Sequence, residues 1–173
     1  HALDGCRDYR LARLEGQNIY HAPLDKFTSE EMDKAWANLT HGATPRTISI
    51  TAQGRILKID RAAAGCARLT FDELCAQPLG AADYLALAKR FDTILLEGVP
   101  IMGPQNRSEA ARFRILIDAL YENKTKLIIS AAAQPDALYG QGDQAFEFER
   151  TVSRLYEMRS REYLAAARGE DDD

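Results

Sequence analysis

The chain has 173 residues, of which 46% are hydrophobic and 28% are charged, a balance typical of one soluble globular domain with or without a small appendage. Its three cysteines, Cys6, Cys66 and Cys75, have no motif spacing, which excludes a disulfide-rich secreted scaffold. The net charge of -4 and the lack of any stretch dense in Lys and Arg argue against a nucleic-acid-binding protein. No apolar run is long enough to predict a membrane-spanning segment.

The first region of the chain, residues 1–65, is predicted to be small and mixed, with one helix and antiparallel strands. An edge strand or an extended arm is expected at Leu3–Leu14, and a short strand at Ile19–Leu24 is stopped by its proline. A helix over Thr28–Leu39 is indicated by an apolar stripe and by the capping-box spacing of Thr28 and Glu31. A hairpin follows, with strands at 47–51 and 55–60 around a glycine turn, and residues 61–65 are expected to be loose.

The second region, residues 66–168, has the pattern of an α/β fold. Its central feature is a continuous apolar strand at Thr93–Leu96, a helix over Ser108–Glu122 and a second apolar strand at Lys126–Ser130. This strand-helix-strand order predicts parallel strands that are buried on both faces. The other predicted elements of the region are a strand at 66–71, helices at 72–76 and 80–90, a short helix at 135–139 and a helix over 148–163.

The two ends of the chain carry separate expectations. Residues 169–173 form an acidic tail that we expect to be frayed. The chain starts at His1 rather than at a methionine, and we expect a further segment to precede it.

The common catalytic and cofactor motifs are missing from the sequence. It contains no G-x-x-x-x-G-K-[ST] phosphate loop, no G-x-G-x-x-G and no G-x-S-x-G nucleophile elbow. The cysteines and histidines show no zinc spacing. Cys75 has no nearby histidine, so its interpretation is structural, although a lone cysteine can also be a nucleophile.

Two polar residues follow the apolar runs of the strand-helix-strand unit. Glu97 follows the first run, and Ser130 ends the second strand, so both are predicted at the carboxyl edge of the sheet, where α/β proteins bind ligands. P-loop enzymes place a magnesium-binding or water-activating acid and a phosphate-sensing polar residue at such positions. The alternative is that Glu97 caps a turn and Ser130 satisfies amides at the strand end.

Two arginines of the last helix are the other candidate site. Arg150 and Arg154 are four residues apart and therefore share one helical face. They can form surface ion pairs with neighbouring glutamates, which contribute little to stability. Alternatively, one of them can reach the nucleotide of a neighbouring subunit and stabilise the transferring phosphate.

Several long segments are similar to the ZapE family. They are Asp8-Tyr9-Arg10, the stretch 77–84 (QPLGAADY), the stretch 91–100 (FDTILLEGVP), the helix around 109–121, and the ending 146–164 with its FEFERTVSRLYEM run. The resemblance covers essentially the whole chain in order. It implies a portion of an AAA+ P-loop ATPase, in a family that contains bacterial cell-division ATPases and a mitochondrial inner-membrane relative, ATPase family gene 1.

The resemblance also implies which parts of the ATPase lie elsewhere. In the family the phosphate loop, the Walker B acid and the first phosphate sensor precede the Asp8-Tyr9-Arg10 element, so this chain corresponds to the C-terminal portion. ATP and magnesium are expected as cofactors of the full-length protein, with neither bound by this chain alone. Arg150 and Arg154 are the expected catalytic residues, whereas Asp8 and Arg10 are expected to form an interface or core ion pair.

The function expected from this resemblance is ATP hydrolysis in a ring, completed by the N-terminal half, in bacterial cell division or mitochondrial protein quality control. The expected partners are that half, other subunits of a homo-oligomer and a cell-division protein, and the expected location is the bacterial cytoplasm or, alternatively, the mitochondrion. The competing hypothesis is a non-catalytic module for protein interaction or assembly.

Overall fold

The computed structural model describes residues 18–166, so the predicted arm and the predicted acidic tail lie outside the described residues. Within that range, six strands form one sheet. The strands are β1 (Tyr20–His21), β2 (Arg46–Ala52), β3 (Arg55–Ala63), β4 (Cys66–Thr70), β5 (Thr93–Val99) and β6 (Lys126–Ala131). The α-helices are α1 (Lys26–Thr40), α2 (Phe71–Cys75), α3 (Ala81–Arg90), α4 (Arg107–Glu122), α5 (Ala145–Glu157) and α6 (Arg161–Ala165). Two single 3₁₀ turns lie at Pro104–Asn106 and Pro135–Ala137.

The sheet combines a parallel half with an antiparallel half, in the order β1-β6-β5-β4-β3-β2. Strands β1, β6, β5 and β4 are parallel, and β3 and β2 continue the sheet in antiparallel pairing. The predicted α/β fold with an antiparallel N-terminal part is therefore confirmed. The predicted division between residues 65 and 66 falls in the turn that joins β3 to β4.

The parallel strands are buried on both faces, as their continuous apolar runs predict. On one face Ile94 and Leu96 of β5 pack into the main core together with Phe113 of α4. On the other face Leu95 packs against Met32 of α1. Helices must cover both faces because side chains alternate along a strand and each face of β5 is apolar.

Helix α1 begins earlier than predicted and has a different cap. Its N-cap is Asp25, whose carboxylate accepts a hydrogen bond from the Thr28 amide, while the Thr28 hydroxyl occupies the third helical position of the capping box. The predicted cap at Thr28 is therefore wrong, because Asp25 offers the same capping chemistry one turn earlier. The helix ends at His41, in a left-handed conformation, as expected from the following glycine.

Three other boundaries differ from the prediction. Residues 61–63, expected to be loose, continue strand β3, because Ala62 pairs with Ala67 and is buried. Strand β5 extends through Val99, so Glu97 lies inside the strand. The last predicted helix is two helices, because the first ends at Glu157 and Ser160 then caps α6 by accepting a hydrogen bond from the Tyr163 amide.

The two-sided burial of β5 predicts the effect of a core substitution. Leu95→Ala should lower the free energy of unfolding by about 3 kcal/mol, because it removes buried methyl groups and leaves a cavity between sheet and helix. Leu24→Ala, at a Leu side chain that is exposed, should change it by less than about 1 kcal/mol. Urea unfolding followed by circular dichroism measures both, and equal losses would contradict this account of the core.

Candidate functional site

The carboxyl edge of the parallel strands brings together polar residues from three of them. His21 of β1 pairs with Ser130 of β6, and Leu96 of β5 pairs with Ile129, which puts Glu97 beside Ser130. By alternation from Leu95 and Ile128, Glu97 and Ser130 project on the face covered by α1. The prediction that Glu97 and Ser130 lie at this edge is correct.

Glu97 is held by two arginines, Arg68 of the adjacent strand β4 and Arg61 of β3, the next strand in the sheet. One carboxylate oxygen accepts a hydrogen bond from Nη2 of Arg68 at 2.7 Å, and the other accepts from Nε of Arg68 at 3.1 Å. Nη2 of Arg61 lies 3.3 Å from the same carboxylate. Arg68, only 10% exposed, also reaches Asp33 of α1 at 2.6 Å. This two-pronged pairing ties β4 and β5 to α1.

These contacts bear on the magnesium interpretation of Glu97. Burial acts to lower the pKa of Arg68, but its hydrogen bonds with Glu97 and Asp33 outweigh burial and raise that pKa, so the guanidinium stays charged. Its charge neutralises the carboxylate that a metal ion would need. Within residues 18–166, no group of three or more His, Cys, Asp or Glu side chains could hold a metal ion. The described residues therefore do not fit a magnesium site at Glu97.

Ser130 has a structural contact at this edge. Its hydroxyl oxygen accepts a hydrogen bond from the amide of Gly98 at 3.0 Å. Gly98 has a φ of +78°, and this left-handed step occurs where the pairing of β5 with β6 becomes irregular. Ser130 therefore satisfies an amide near the strand end, which is the structural alternative stated for it above.

His21 is a buried imidazole that is 5% exposed. Among residues 18–166, its Nε2 atom has no hydrogen-bond partner. Burial lowers its pKa, while the charge of Glu31 and the backbone of Asn18 act to raise it. The neutral imidazole is therefore the form that the folded chain favours.

Cys75 is fully buried at the end of α2. Burial raises the pKa of its thiol above the ordinary value, and the thiolate that nucleophilic chemistry requires is disfavoured. The structural interpretation of Cys75 agrees with this environment.

The two predicted arginines lie far along the chain from Glu97, on helix α5, which packs against α4. Both contact Asp118 of α4 rather than the glutamates of their own helix. Nη2 of Arg150 lies 3.3 Å from this carboxylate, and Nη1 of Arg154 donates a hydrogen bond to its other oxygen. The surface ion pairs expected along α5 are thus replaced by pairs between two helices.

Arg154 is the more firmly held of the two arginines. It is 17% exposed, its Nη2 atom is 3.6 Å from a carboxylate oxygen of Glu122, and its guanidinium lies 4.6 Å from the ring centre of Tyr121. Tyr121 stacks on Tyr163 of α6, whose hydroxyl donates to the Thr125 carbonyl at 2.7 Å. Arg154 thus joins α4, α5 and α6 at one end of the helical layer.

Arg150 is 64% exposed and borders an open groove between α4 and α5. A larger adjoining part of the groove, of about 580 Å³, is lined by arginines and carboxylates together. Arg114 lies in both parts, where its Nε and Nη2 atoms donate to the Gln144 side chain at 3.0 and 2.9 Å. Phe146, 79% exposed, borders the part next to Arg150. This surface, bounded by Arg107, Arg114, Phe146 and Arg150, is called the α4–α5 groove below.

Sequence reasoning missed Asp118 and Arg68, the residues that hold the candidate side chains. Arg68 lies two residues after the buried Cys66 and therefore on the same face of β4, so its charge signals a polar partner on a covered face. Asp118 offers no comparable signal, because an aspartate in a mostly polar stripe of an amphipathic helix is ordinary.

A parallel sheet with helices on both faces, extended by antiparallel strands, is the architecture expected for a portion of a P-loop AAA+ ATPase. The chain belongs to the AFG1-like ATPase family, whose profile matches residues 2–167. The resemblance stated from the sequence is thereby confirmed. No solved structure matches the chain significantly.

Three relatives illustrate this membership. Cell division protein ZapE of Escherichia coli is 37% identical over 163 residues, which cover 94% of this chain and 43% of the relative. Lactation elevated protein 1 homolog B of Danio rerio is 33% identical over 151 residues, covering 69% and 30%. A protein of Schizosaccharomyces pombe is 26% identical over 195 residues, covering 94% and 42%. The chain therefore spans less than half the length of these relatives.

Removal of the Glu97 carboxylate should destabilise the sheet. Glu97→Ala is expected to lower the free energy of unfolding by about 2 kcal/mol, between the cost for buried and for exposed pairs, because among residues 18–166 Arg68 then keeps the exposed Asp33 as its acidic partner. Glu122→Ala, which removes an exposed carboxylate 3.6 Å from Arg154, should cost less than about 0.5 kcal/mol. Chemical denaturation measures both variants. If Glu97→Ala leaves the free energy of unfolding unchanged, the ion pairs of Glu97 do not contribute to stability.

Burial of His21 should make the fold sensitive to mild acid. Its pKa is lower in the folded chain than in the unfolded one, so the unfolded chain binds the proton first. The free energy of unfolding should therefore fall as the pH drops below about 6.5, by at most about 1.4 kcal/mol per pH unit for one proton. His21→Leu should flatten the profile between pH 7.5 and 5.5, and the core variant Met32→Leu should keep it. Denaturant titrations between pH 7.5 and 5.5 measure this dependence. If the free energy of unfolding of His21→Leu falls with pH as steeply as that of the native chain, His21 is not its cause.

Proposed function

We propose that this chain is the C-terminal part of a ring-forming ATPase and completes ATP hydrolysis together with the N-terminal half. Family membership supports the ATPase chemistry. The chain matches only 43% of the length of one relative, which supports an ATPase whose function is shared between this chain and an N-terminal half. ATP and magnesium would be held by the N-terminal half, since residues 18–166 offer no magnesium-binding cluster.

The observation that carries this proposal is the state of Arg150. An exposed guanidinium that lies 3.3 Å from the Asp118 carboxylate can leave that contact at little cost and reach a phosphate of an adjoining subunit. A guanidinium fits phosphate oxygens in a two-pronged manner and keeps its charge at any physiological pH. Arg150 is therefore the proposed catalytic arginine.

Arg154 has a different proposed role. Its contacts with Asp118, Glu122 and Tyr121 hold it within the chain, so it would act as a positioning residue for Asp118 and, through Asp118, for Arg150. This divides the two predicted catalytic residues into one that reaches outward and one that orients it.

The proposed biological setting follows from the relatives. One relative is named a cell division protein, and we propose a corresponding role, with a cell-division protein as partner and the bacterial cytoplasm as location. No helix among residues 18–166 is long and apolar enough to cross a membrane.

A second candidate function is a protein-interaction module, and the exposure of Phe146 favours it. Its aromatic side chain is 79% exposed and borders a groove lined by both acidic and basic residues. Such a combination is typical of a protein-docking surface rather than of a catalytic pocket. In this case the α4–α5 groove would bind the partner and Arg150 would contribute to recognition.

The ATPase activity of the N-terminal half mixed with this chain distinguishes the two functions. Arg150→Ala should lower kcat about a thousandfold with little change in KM, as loss of an arginine finger can. Arg154→Ala should lower kcat less, and Arg107→Ala, an equally exposed arginine on the same groove, should leave kcat within about twofold.

Two results would reject the catalytic proposal. One is full activity of the N-terminal half without this chain, and the other is an Arg150→Ala variant with normal kcat. If Phe146→Ser then abolished association with the N-terminal half or a division protein, the interaction module would be the better description.

A further inference from the structure

Strand β2 forms one edge of the sheet. The strand order ends at β2, and no residue in the range 18–166 pairs with its outer side. An open edge presents unpaired amides and carbonyls, which can pair with another strand.

Pro45 and Arg46 stand at the start of this edge, and beyond them it lacks the features that usually prevent strand addition. Residues 47–52 (TISITA) contain no charge and no proline. The pairing register shifts between Arg46 and Ile48, where Thr47 opposes both Asp60 and Arg61, so the extra residue belongs to β3. Edges are normally blocked by charges, prolines or a bulge in the edge strand itself. Strand β2 is therefore regular and open along its outer side.

The hairpin turn determines which backbone groups face outward. Gln53 and Gly54, with φ values of +49° and +78°, form a two-residue turn closed by the pair Ala52 and Arg55. Such a turn is closed by a hydrogen-bonded pair, and the direction of backbone groups alternates along a strand. Ile50 and Ile48 therefore point their backbone groups toward β3, and Thr47, Ser49 and Thr51 point theirs outward.

The edge sequence is also symmetric. Residues 47–51 read Thr-Ile-Ser-Ile-Thr in either direction. If a twofold axis passes beside Ser49, an antiparallel second copy places threonine opposite threonine and isoleucine opposite isoleucine, with Ser49 opposite itself. Threonine pairs and pairs of β-branched residues are favourable across strands, and no charges meet. The outward backbone groups of residues 47, 49 and 51 also fall opposite one another.

The side chains next to this edge favour the same arrangement. Ile48 and Ile50 pack against the main core and are only half-buried, because no strand among residues 18–166 lies on the outer side of β2. Helix α3 packs on β2, and its Leu85 remains exposed. In a second copy, Ile48 and Ile50 would cover the exposed sides of Ile48 and Ile50 of the first. Contact between the same residues of both copies is the self-complementarity of a twofold interface.

We propose that β2 is a self-association edge, at which two copies of this chain pair antiparallel around Ser49 to form one continuous sheet. The second copy is preferred over an unrelated strand because only a palindromic partner matches residue types at every paired position. The proposal does not depend on the ATPase function, because it uses no residue of the α4–α5 groove.

Sedimentation velocity over a range of chain concentrations tests the association. The native chain should show a reversible monomer-dimer equilibrium. Ser49→Lys, an exposed substitution that places two lysines opposite each other, should raise the dimer Kd at least about tenfold. Ser29→Lys on α1 makes the same chemical change away from the edge and should leave the Kd unchanged. A native chain that stays monomeric, or a Ser49→Lys variant with native Kd, would overturn the proposal.

Hydrogen exchange of the native chain gives a second test that needs no variant. The amides of Thr47, Ser49 and Thr51 should exchange quickly in the monomer and become protected as the dimer forms, while those of Ile48 and Ile50 stay protected throughout. Protection of the outward amides in the monomer would assign the edge to another segment of this chain, such as residues 1–17. That result would refute pairing between copies.

Discussion

The structure depends on the burial of β4, β5 and β6 on both faces. Leu95 and Ile128 are buried by packing against α1 on one face of the sheet. Ile94 and Leu96 are buried by packing against α4 on the other face. Once these strands lie in the middle of the sheet, β1 and the β2–β3 hairpin can only occupy its two ends. The polar edge, the groove and the open strand all follow from this arrangement.

Ion pairs decide the chemistry of both candidate sites. At the carboxyl edge, Arg68 and Arg61 neutralise Glu97, so an acid at the position typical of metal binding acts as a link between strands. On the helical side, Asp118 contacts both predicted arginines but leaves one of them exposed. Such ion pairs argue against a metal site at Glu97, and they leave Arg150 as the exposed arginine on which the proposed function rests.

The two proposals use opposite parts of the chain and can hold together. The α4–α5 groove lies on the helical layer, whereas β2 is the far edge of the sheet. A protein of the AFG1-like ATPase family in which one surface meets the N-terminal half and another meets a second copy would have the contacts that a multi-subunit ATPase requires.

The sequence alone determined the elements whose signal is local. Continuous apolar runs at β5 and β6, the periodic stripe of α4 and the glycine turn of the hairpin predicted their elements correctly, because burial and turn geometry leave a residue-by-residue pattern. The family resemblance rested on long matching segments in the same way. The start of α1 was predicted wrongly, because Asp25 and Thr28 offer similar capping chemistry.

Only the tertiary structure decided which charged groups meet. The pairing of Glu97 with Arg68, 29 residues away in the chain, and of Arg150 with Asp118, 32 residues away, depends on strand order and helix packing. Composition and spacing do not show which distant residues meet, because a solvated charge and a charge paired in the fold give the same residue letter in the sequence. For this reason the sequence identified the candidate residues, and the fold separated the exposed one from those that hold the structure together.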